Sequence, residues 1–438
     1  MPQRHRRHRI SAPRRGPRPR RVQVFPHRSA RRHPRAGEHN LLYCHGFSEG
    51  RAGVIEVFLA FLRLGLTSFG GPVAHLGYFR RAFVGRWLDE ARFGEIVGLC
   101  SFLPGPTSSQ VGVAIGLDRA GVKGALAAWL GFTLPSAILM ISFAFIARSL
   151  HGPVATAAIH GLKLAAVAIV AQAVIGMARS LTPDLRRLAI AVVAVAIVAV
   201  AGRFGQFAAI AAGALLGLIL TREPGAHMPA HSAAPRRPTV ARRTGGACLA
   251  VFAILLAGLP FLRAATGDLG VAVADSFYRS GALVFGGGHV VLPLLRAEVV
   301  PPGWIGGDAF LSGYGAAQAL PGPLFAFAAY LGTVIGGVGV AVLALVALFA
   351  PGMLLLFGAL PFWSALSAQP LARAALKGTN AAVVGILASA LYDPVGTGAI
   401  LTWRDGVIAL AGFTALTCAK VPPLAVVAAT VVAAVILA

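Results

Sequence analysis

Charge is scarce in this sequence, acids are scarcer, and cysteine carries no recognisable chemistry. Charged residues fill 12% of 438 positions while 57% are hydrophobic, against roughly 25% and 45–50% in an average soluble domain. A soluble chain that apolar could not cover its core with polar surface, whereas a helix bundle in a bilayer needs no such cover. The four cysteines, Cys44, Cys100, Cys248 and Cys418, stand far apart without CxxC or Cys/His spacing, so neither a disulfide framework nor a zinc site is expected. Cys100 and Cys418 read as small hydrophobes inside helices. No Walker-type phosphate loop occurs, which argues against ATP-driven transport by this chain. No serine-hydrolase elbow, zincin helix or kinase signature is present, nor an aspartate pair at metal-site spacing. Neither an enzyme nor a bound cofactor or metal is expected.

What the sequence does have is positive charge, formally +24. A nucleic-acid partner would explain it, but the distribution argues otherwise: residues 1 to 36 hold 13 Arg and no acid. Much of the rest lies in short loops between apolar segments, as the positive-inside bias predicts. Residues 1–50 are too basic and proline-rich to bury anything and contain no signal-peptide core. They read as a disordered tail able to touch anionic lipid, or as upstream sequence from a start placed too early. No specific nucleic-acid site is expected.

Apolar segments begin near Val54. A hydrocarbon core of about 30 Å needs around 20 apolar residues per helix, and by that measure spans lie near 54–79, 93–117, 121–147, 153–177, 187–202, 205–220, 247–264, 270–295, 310–335, 338–362, 376–392, 399–419 and 421–438. The fold class is therefore all-α, a polytopic membrane protein of about 13 transmembrane helices, the shortest of which are also compatible with re-entrant segments. Between the sixth and seventh spans, 221–246 holds Arg222, Arg236, Arg237, Arg242 and Arg243 against Glu223, so this linker should be cytoplasmic.

An internal repeat appears when the chain is slid by 217 residues. Leu103-Pro104-Gly105-Pro106 falls on Leu320-Pro321-Gly322-Pro323, Trp87 on Trp304, Phe93 on Phe310 and Gly161 on Gly378, while Phe69-Gly70-Gly71 falls one residue out of register on Phe285-Gly286-Gly287. The domains are then a first repeat over 54–220, the linker, a connecting helix at 247–264 and a second repeat over 270–438. With tail and linker both inside, the connecting helix carries the chain across, so the second repeat starts on the opposite face. Inverted repeats with broken helices are a recurrent carrier architecture, with the substrate site between the repeats. One loop resists this topology. Arg80, Arg81, Arg86 and Arg92 would lie outside after one crossing, so either the first segment is a hairpin folded at its glycines or these arginines face the pore.

The motifs that interrupt the spans are the candidate site. Ser68-Phe69-Gly70-Gly71-Pro72 breaks an apolar helix, since proline lacks an N–H and glycine loses most backbone entropy, and non-helical backbone at membrane depth is tolerated where it is buried or lines a wet cavity. A close-packing face or a simple kink is the alternative. At Pro104-Gly105-Pro106-Thr107-Ser108-Ser109-Gln110 a new half-helix starts, with Gly105 as expected N-cap and Pro106 as first residue. Its amides and the three hydroxyls form an anion cradle at the positive end of the helix dipole, unless the prolines merely sharpen a loop. Pro321-Gly322-Pro323 keeps the break without hydroxyls, so the halves should contribute unequally. Phe285-Gly286-Gly287-Gly288 is followed by His289, and His75 follows Pro72; each histidine is a candidate for anion contact or proton relay, or for a satisfied packing histidine. Lys163, matched by Asn380 in the repeat, could neutralise a dianion or snorkel to the interface. Glu56, Glu95 and Asp275 lie near span ends and read as interfacial.

Together these residues resemble the chromate ion transporter family. The resemblance runs through Phe61-Leu62-Arg63-Leu64-Gly65, Ser68 to Pro72, Ala74-His75, Trp87-Leu88, Phe102 to Pro106, Ser108 to Gly112 and Gly131 to Ser136, then Phe285 to Pro293 and Gln318 to Phe325, covering nearly everything after residue 54. It implies a multi-pass bacterial inner-membrane carrier with two homologous halves that exports chromate, driven by the proton gradient, and protects the cell. Gln318 joins the substrate-binding set on the same ground. The partners implied are chromate or a similar oxyanion and the lipid bilayer, with a homodimer left open. Chromate over sulfate rests on the resemblance alone.

Overall fold

The computed structural model describes residues 53–149, 151–221 and 240–437. The Arg-rich stretch 1–50 and linker residues 222–239 lie outside the described residues. Those described are helical, with no strand. The first half holds α1 (Val54–Thr67), α2 (Gly71–Phe83), α3 (Glu90–Phe102), α4 (Thr107–Ser149), α5 (Pro153–Leu181), α6 (Leu185–Val200) and α7 (Gly205–Leu220). After the linker comes α8 (Arg242–Thr266). The second half holds α9 (Leu269–Ala282), α10 (Val291–Val299), α11 (Gly307–Ala319), α12 (Phe327–Gly336), α13 (Val338–Ala359), α14 (Trp363–Ala368), α15 (Pro370–Ala390), α16 (Thr397–Ala399), α17 (Trp403–Thr417) and α18 (Pro423–Leu437).

Helix starts follow the local sequence. Asp89, Asp184 and Asp268 each accept a hydrogen bond from the amide three residues on, and Thr402 with Asp405 forms a reciprocal capping box on α17, which satisfies amides that a helix N-terminus otherwise leaves bare. Among the described residues, five helices are long and apolar enough to cross a membrane: Thr107–Ser149, Pro153–Leu181, Arg242–Thr266, Val338–Phe362 and Pro370–Ala399. Large apolar side chains such as Leu126, Leu130, Leu134 and Ile138 of α4 face outward, as lipid-facing surface requires. The chain is an all-α polytopic membrane protein.

Four of the expected straight spans are folded in two. Phe61 on α1 packs against Phe79 and Phe83 on α2 with ring centroids 5.5 and 4.9 Å apart, whereas 22 residues of continuous helix would separate Phe61 from Phe83 by about 33 Å. The first segment is thus a hairpin bent at Ser68–Gly70, which answers the misplaced arginine loop. The same test identifies three more hairpins. Arg92 at the start of α3 reaches Asp118 in α4 at 2.7 Å; Arg279 on α9 reaches Glu298 on α10 at 2.9 Å; Tyr330 on α12 donates to the Ala309 carbonyl on α11 at 2.8 Å. Helix α4 itself is two arms, bent where Ala120 and Gly121 leave helical geometry. Gly121 (φ 65) has its counterpart in Gly337 (φ 85) between α12 and α13.

The halves repeat in their close contacts as well as in their sequence. A Cβ on Gly65 would sit 2.7 Å from the Phe132 carbonyl, and one on Gly281 would strike the Leu348 carbonyl. Gly161 of α5 lies against Thr430 and Val431 of α18, and Gly378 of α15 against Gly213 and Gly217 of α7. The last pair interlocks the halves: α5 packs on α17 and α18, and α15 on α6 and α7. One buried core accordingly contains Leu164 and Ala209 from the first half beside Phe310 and Val383 from the second. One expectation needs correction. Cys418 is exposed at the end of α17 while Cys100 is buried, because helix α17 stops there. Asp275 is buried between Arg263 and Arg279, at 3.2 and 2.9 Å, where two guanidinium groups offset the cost of burying its charge.

Candidate functional site

Each hairpin bends at one of the glycine-proline motifs, and the four bends meet. The Gly105 amide donates to the Val284 carbonyl at 2.7 Å, and the Gly322 amide donates to the Ser68 carbonyl at 2.9 Å. These two bonds are repeat counterparts, each joining a bend in one half to a bend in the other. Gly105 (φ 121) and Gly322 (φ 93) adopt the left-handed conformation that lets the amide point across. Both are also hemmed in: a Cβ on Gly105 would lie 2.9 Å from Gly352 Cα, and one on Gly322 2.8 Å from Ser136 Oγ. A Cβ on Gly288 would lie 3.4 Å from Pro72 and 3.8 Å from Leu324, which closes the ring of four.

His75 binds the first two bends together. Its Nε2 lies 3.3 Å from the Ser68 carbonyl and its Nδ1 3.3 Å from Ser108 Oγ. A carbonyl can only accept, so in the neutral ring Nε2 carries the proton and Nδ1 accepts from the Ser108 hydroxyl. His289 Nδ1 lies 2.8 Å from Tyr314 OH on α11. Gln110 is fully buried and donates to the carbonyls of Pro104 and Gly352 at 3.0 and 2.8 Å, which pins the second bend to α13.

Several polar groups here lack a protein partner among the described residues. The first intrahelical bond of α4 runs from Gln110 N to Pro106 O at 2.9 Å, so the amides of Thr107, Ser108 and Ser109 precede the ladder. Pro106 is therefore the N-cap and Thr107 the first residue, one position later than the sequence suggested, because Gly105 turns away to bond Val284. Buried without partners are Ser68 Oγ, Ser109 Oγ, Gln110 Oε1, Thr133 Oγ1, Gln318 Nε2 and Asn380 Oδ1. Buried polar groups are normally satisfied, so unpartnered ones at these bends make their meeting point a candidate binding site.

Of the residues singled out from sequence, those in the four bends, from Ser68 to Pro72, Pro104 to Gln110, Phe285 to Gly288 and Pro321 to Pro323, come together, with His75 and His289 beside them. Lys163 does not join them: buried on α5, it pairs with Asp308 at 2.8 Å, at the far end of α11, about 18 Å along that helix from its bend. Asn380, its repeat counterpart, does join, with Oδ1 3.6 Å from the Cβ position of Gly286. Tyr314, Thr133, Ser136 and Gly352 were missed; Tyr314 and Gly352 sit in otherwise apolar helix, and only the tertiary fold brings them to the bends.

Hairpins that meet tip to tip inside an interlocked helical bundle, with unpaired donors at the meeting point, define the class as a membrane transporter. The chain belongs to the chromate transporter family: the family profile described as "Chromate transporter" matches residues 55–218 and again 271–436. Among similar proteins, a chromate transport protein of Pseudomonas aeruginosa is 30% identical over 345 residues, 77% of this chain and 80% of that one. A probable chromate transport protein of Synechococcus elongatus is 27% identical over 76% of this chain and 82% of its own length, and a chromate transport protein of Cupriavidus metallidurans is 25% identical over 77% and 81%. No solved structure matches the chain.

Proposed function

We propose that the chain is a secondary carrier that exports chromate across the bacterial inner membrane, coupled to protons and conferring chromate resistance. The observation that carries this reading is the meeting of four hairpin bends around unpartnered donors: the amides of Thr107, Ser108 and Ser109 at a helix N-terminus, and the hydroxyls of Ser68 and Ser109. Such donors suit a tetrahedral dianion, and the names of the relatives supply chromate.

His75 provides the coupling. While the ring is neutral, Ser108 spends its proton on Nδ1; a proton taken up at Nδ1 makes both ring nitrogens donors and releases the Ser108 hydroxyl to donate to the anion. Proton and anion then bind together. A dianion accompanied by one proton still carries net negative charge, and an inside-negative potential, about 2.3 kcal/mol per charge per 100 mV, drives it outward.

The hairpins return the chain to the face it came from, leaving nine crossings among the described residues: the second arm of α4, then α5, α6, α7, α8, α13, α15, α17 and α18. With the basic linker inside, Arg80, Arg81, Arg86 and Arg92 lie inside too, and the odd crossing by α8 inverts the second half. Carriage of sulfate or another oxyanion is the second reading, since amide and hydroxyl donors fit any tetrahedral dianion. Tracer flux in inverted vesicles tests both, with and without a pH gradient and with sulfate as competitor. Saturable chromate uptake that resists excess sulfate is expected; sulfate uptake at lower concentration than chromate would overturn the assignment.

A further inference from the structure

The two halves share their main helix contacts, yet α11 and its repeat counterpart α3 are placed differently: α11 packs on α5 and α18, and α3 packs on α4. In the second half α11 lies along α5. A Cβ on Gly315 would strike the Leu162 carbonyl, Leu311 and Gly315 are buried, and Asp308 holds Lys163 at 2.8 Å. The 217-residue offset carries α11 onto α3 and α5 onto α15, so Asp308, Leu311, Gly315 and Lys163 become Ala91, Gly94, Gly98 and Asn380. There no comparably close helix contact is made, and it is the Trp363 ring that packs on α3, 5.6 Å from the Phe102 ring. Ala91, Gly94 and Gly98 are exposed; a Cβ on Gly94 would meet nothing within 4 Å, and one on Gly98 only the Trp363 ring at 3.9 Å.

Lipid does not account for this face. A lipid-facing helix carries large apolar side chains, as α4 does at Leu126, Leu130 and Leu134. Ala91, Gly94 and Gly98 recur on one side of α3 and are of the size that lets two helix backbones approach closely. Gly315, the counterpart of Gly98, is in such an approach against α5.

We propose that α11 and α3 are two gates used in turn: α11 is closed on α5 here, and in the alternate state it leaves while α3 closes on α15 around Asn380 through Ala91, Gly94 and Gly98. The inference rests on the carrier reading. It identifies the state described here as one with the α11 gate shut and the α3 gate open. Each gate helix ends in a hairpin bend, Leu320–Pro323 for α11 and Leu103–Pro106 for α3, so closing either one moves a wall of the candidate site. The Lys163–Asp308 pair has no charged counterpart at Asn380 and Ala91, which makes the α11 gate the one latched at rest.

Paired cysteines in a cysteine-free protein in vesicles test the exchange: Lys163→Cys with Asp308→Cys for the first gate, Ala91→Cys with Asn380→Cys for the second. The first pair should cross-link at rest. The second should cross-link on adding chromate or sulfate, and one closed pair should prevent the other. Each disulfide should lower flux at least tenfold relative to the same variant in its reduced form. Gly98→Leu gives an independent readout, because the site is open here: membrane insertion and the first cross-link should persist while flux falls at least tenfold. The proposal is overturned if the second pair never forms with either anion, if both pairs form in one molecule, or if Gly98→Leu transports normally. Dimers from Ala91→Cys alone would also overturn it, by making this face an interface with a second copy. Cross-link exchange with sulfate but not chromate would leave the gates standing and remove the chromate reading.

Discussion

Ser108 and Ser109 neighbour each other but stand in different situations: Ser108 is engaged by His75, whereas Ser109 Oγ is buried with no partner among the described residues. Charge-assisted hydrogen bonds contribute about 1.5–3 kcal/mol each, and about 1.4 kcal/mol is tenfold in affinity. Ser108→Ala with Ser109→Ala should therefore raise the apparent chromate constant at least about tenfold, and Ser109→Ala alone should account for most of the loss while the His75 ring is neutral and holds Ser108. Concentration-dependent flux at two pH values checks both. Anion affinity should rise as pH falls, because protonated His75 frees a donor; His75→Gln should flatten that dependence while leaving transport at low affinity. Were the slope to survive in His75→Gln, His289 with its Tyr314 partner would be the place to look. At this scale much of the site was legible, since glycine, proline and hydroxyl residues announce a broken helix and its donors. Lys163 was not, because the sequence cannot tell which of several acids a buried lysine will meet; Asn380 was visible only as its repeat counterpart.

Among elements, the first segment shows where sequence reasoning reaches its limit. Residues 54–79 have the length and hydropathy of a bilayer span, and the Gly-Gly-Pro break was plain, but nothing local distinguishes a kinked span from a hairpin. Only the packing of Phe61 on Phe83 decides it. The positive-inside mismatch of the arginine loop was the one sequence signal, and it pointed the right way. The hairpin arrangement puts Arg86 and Lys123 on the same face, whereas two straight spans at 54–79 and 93–117 would leave Arg86 on one face and Lys123 on the other. Single cysteines at these positions should react alike with a membrane-impermeant thiol reagent: labelled in inverted vesicles and protected in intact cells. Opposite labelling would restore the straight spans. Close packing makes a second prediction here. Gly281→Val should abolish accumulation of folded protein, because no room exists before the Leu348 carbonyl, while Gly94→Val, with nothing within 4 Å, should leave the amount of protein unchanged.

For the whole molecule, the question is which way the second half runs. The interlock of α5 with α17 and α18, mirrored by α15 with α6 and α7, relates the halves by an approximate two-fold operation, and such an operation is compatible with parallel or inverted repeats. The proposed crossings select the inverted one: four in the first half would return the chain to its starting face, and α8 would then cross alone. Helix α8 holds an apolar stretch of 18 residues of which almost none is buried, so it belongs in lipid and not along the surface. The turn at Gly121, between the arms of α4, should thus lie in the cytoplasm and its counterpart at Gly337 outside. Reporter tags in these two turns check the assignment, because both glycines sit at bends where a Cβ would meet nothing within 4 Å and insertion there disturbs no packing. Opposite readings are expected, with the Gly121 reporter on the side of the basic linker. Matching readings would mean that α8 does not cross, the halves would run parallel, and the bends joined by Gly105–Val284 and Gly322–Ser68 could no longer enter the site from opposite faces.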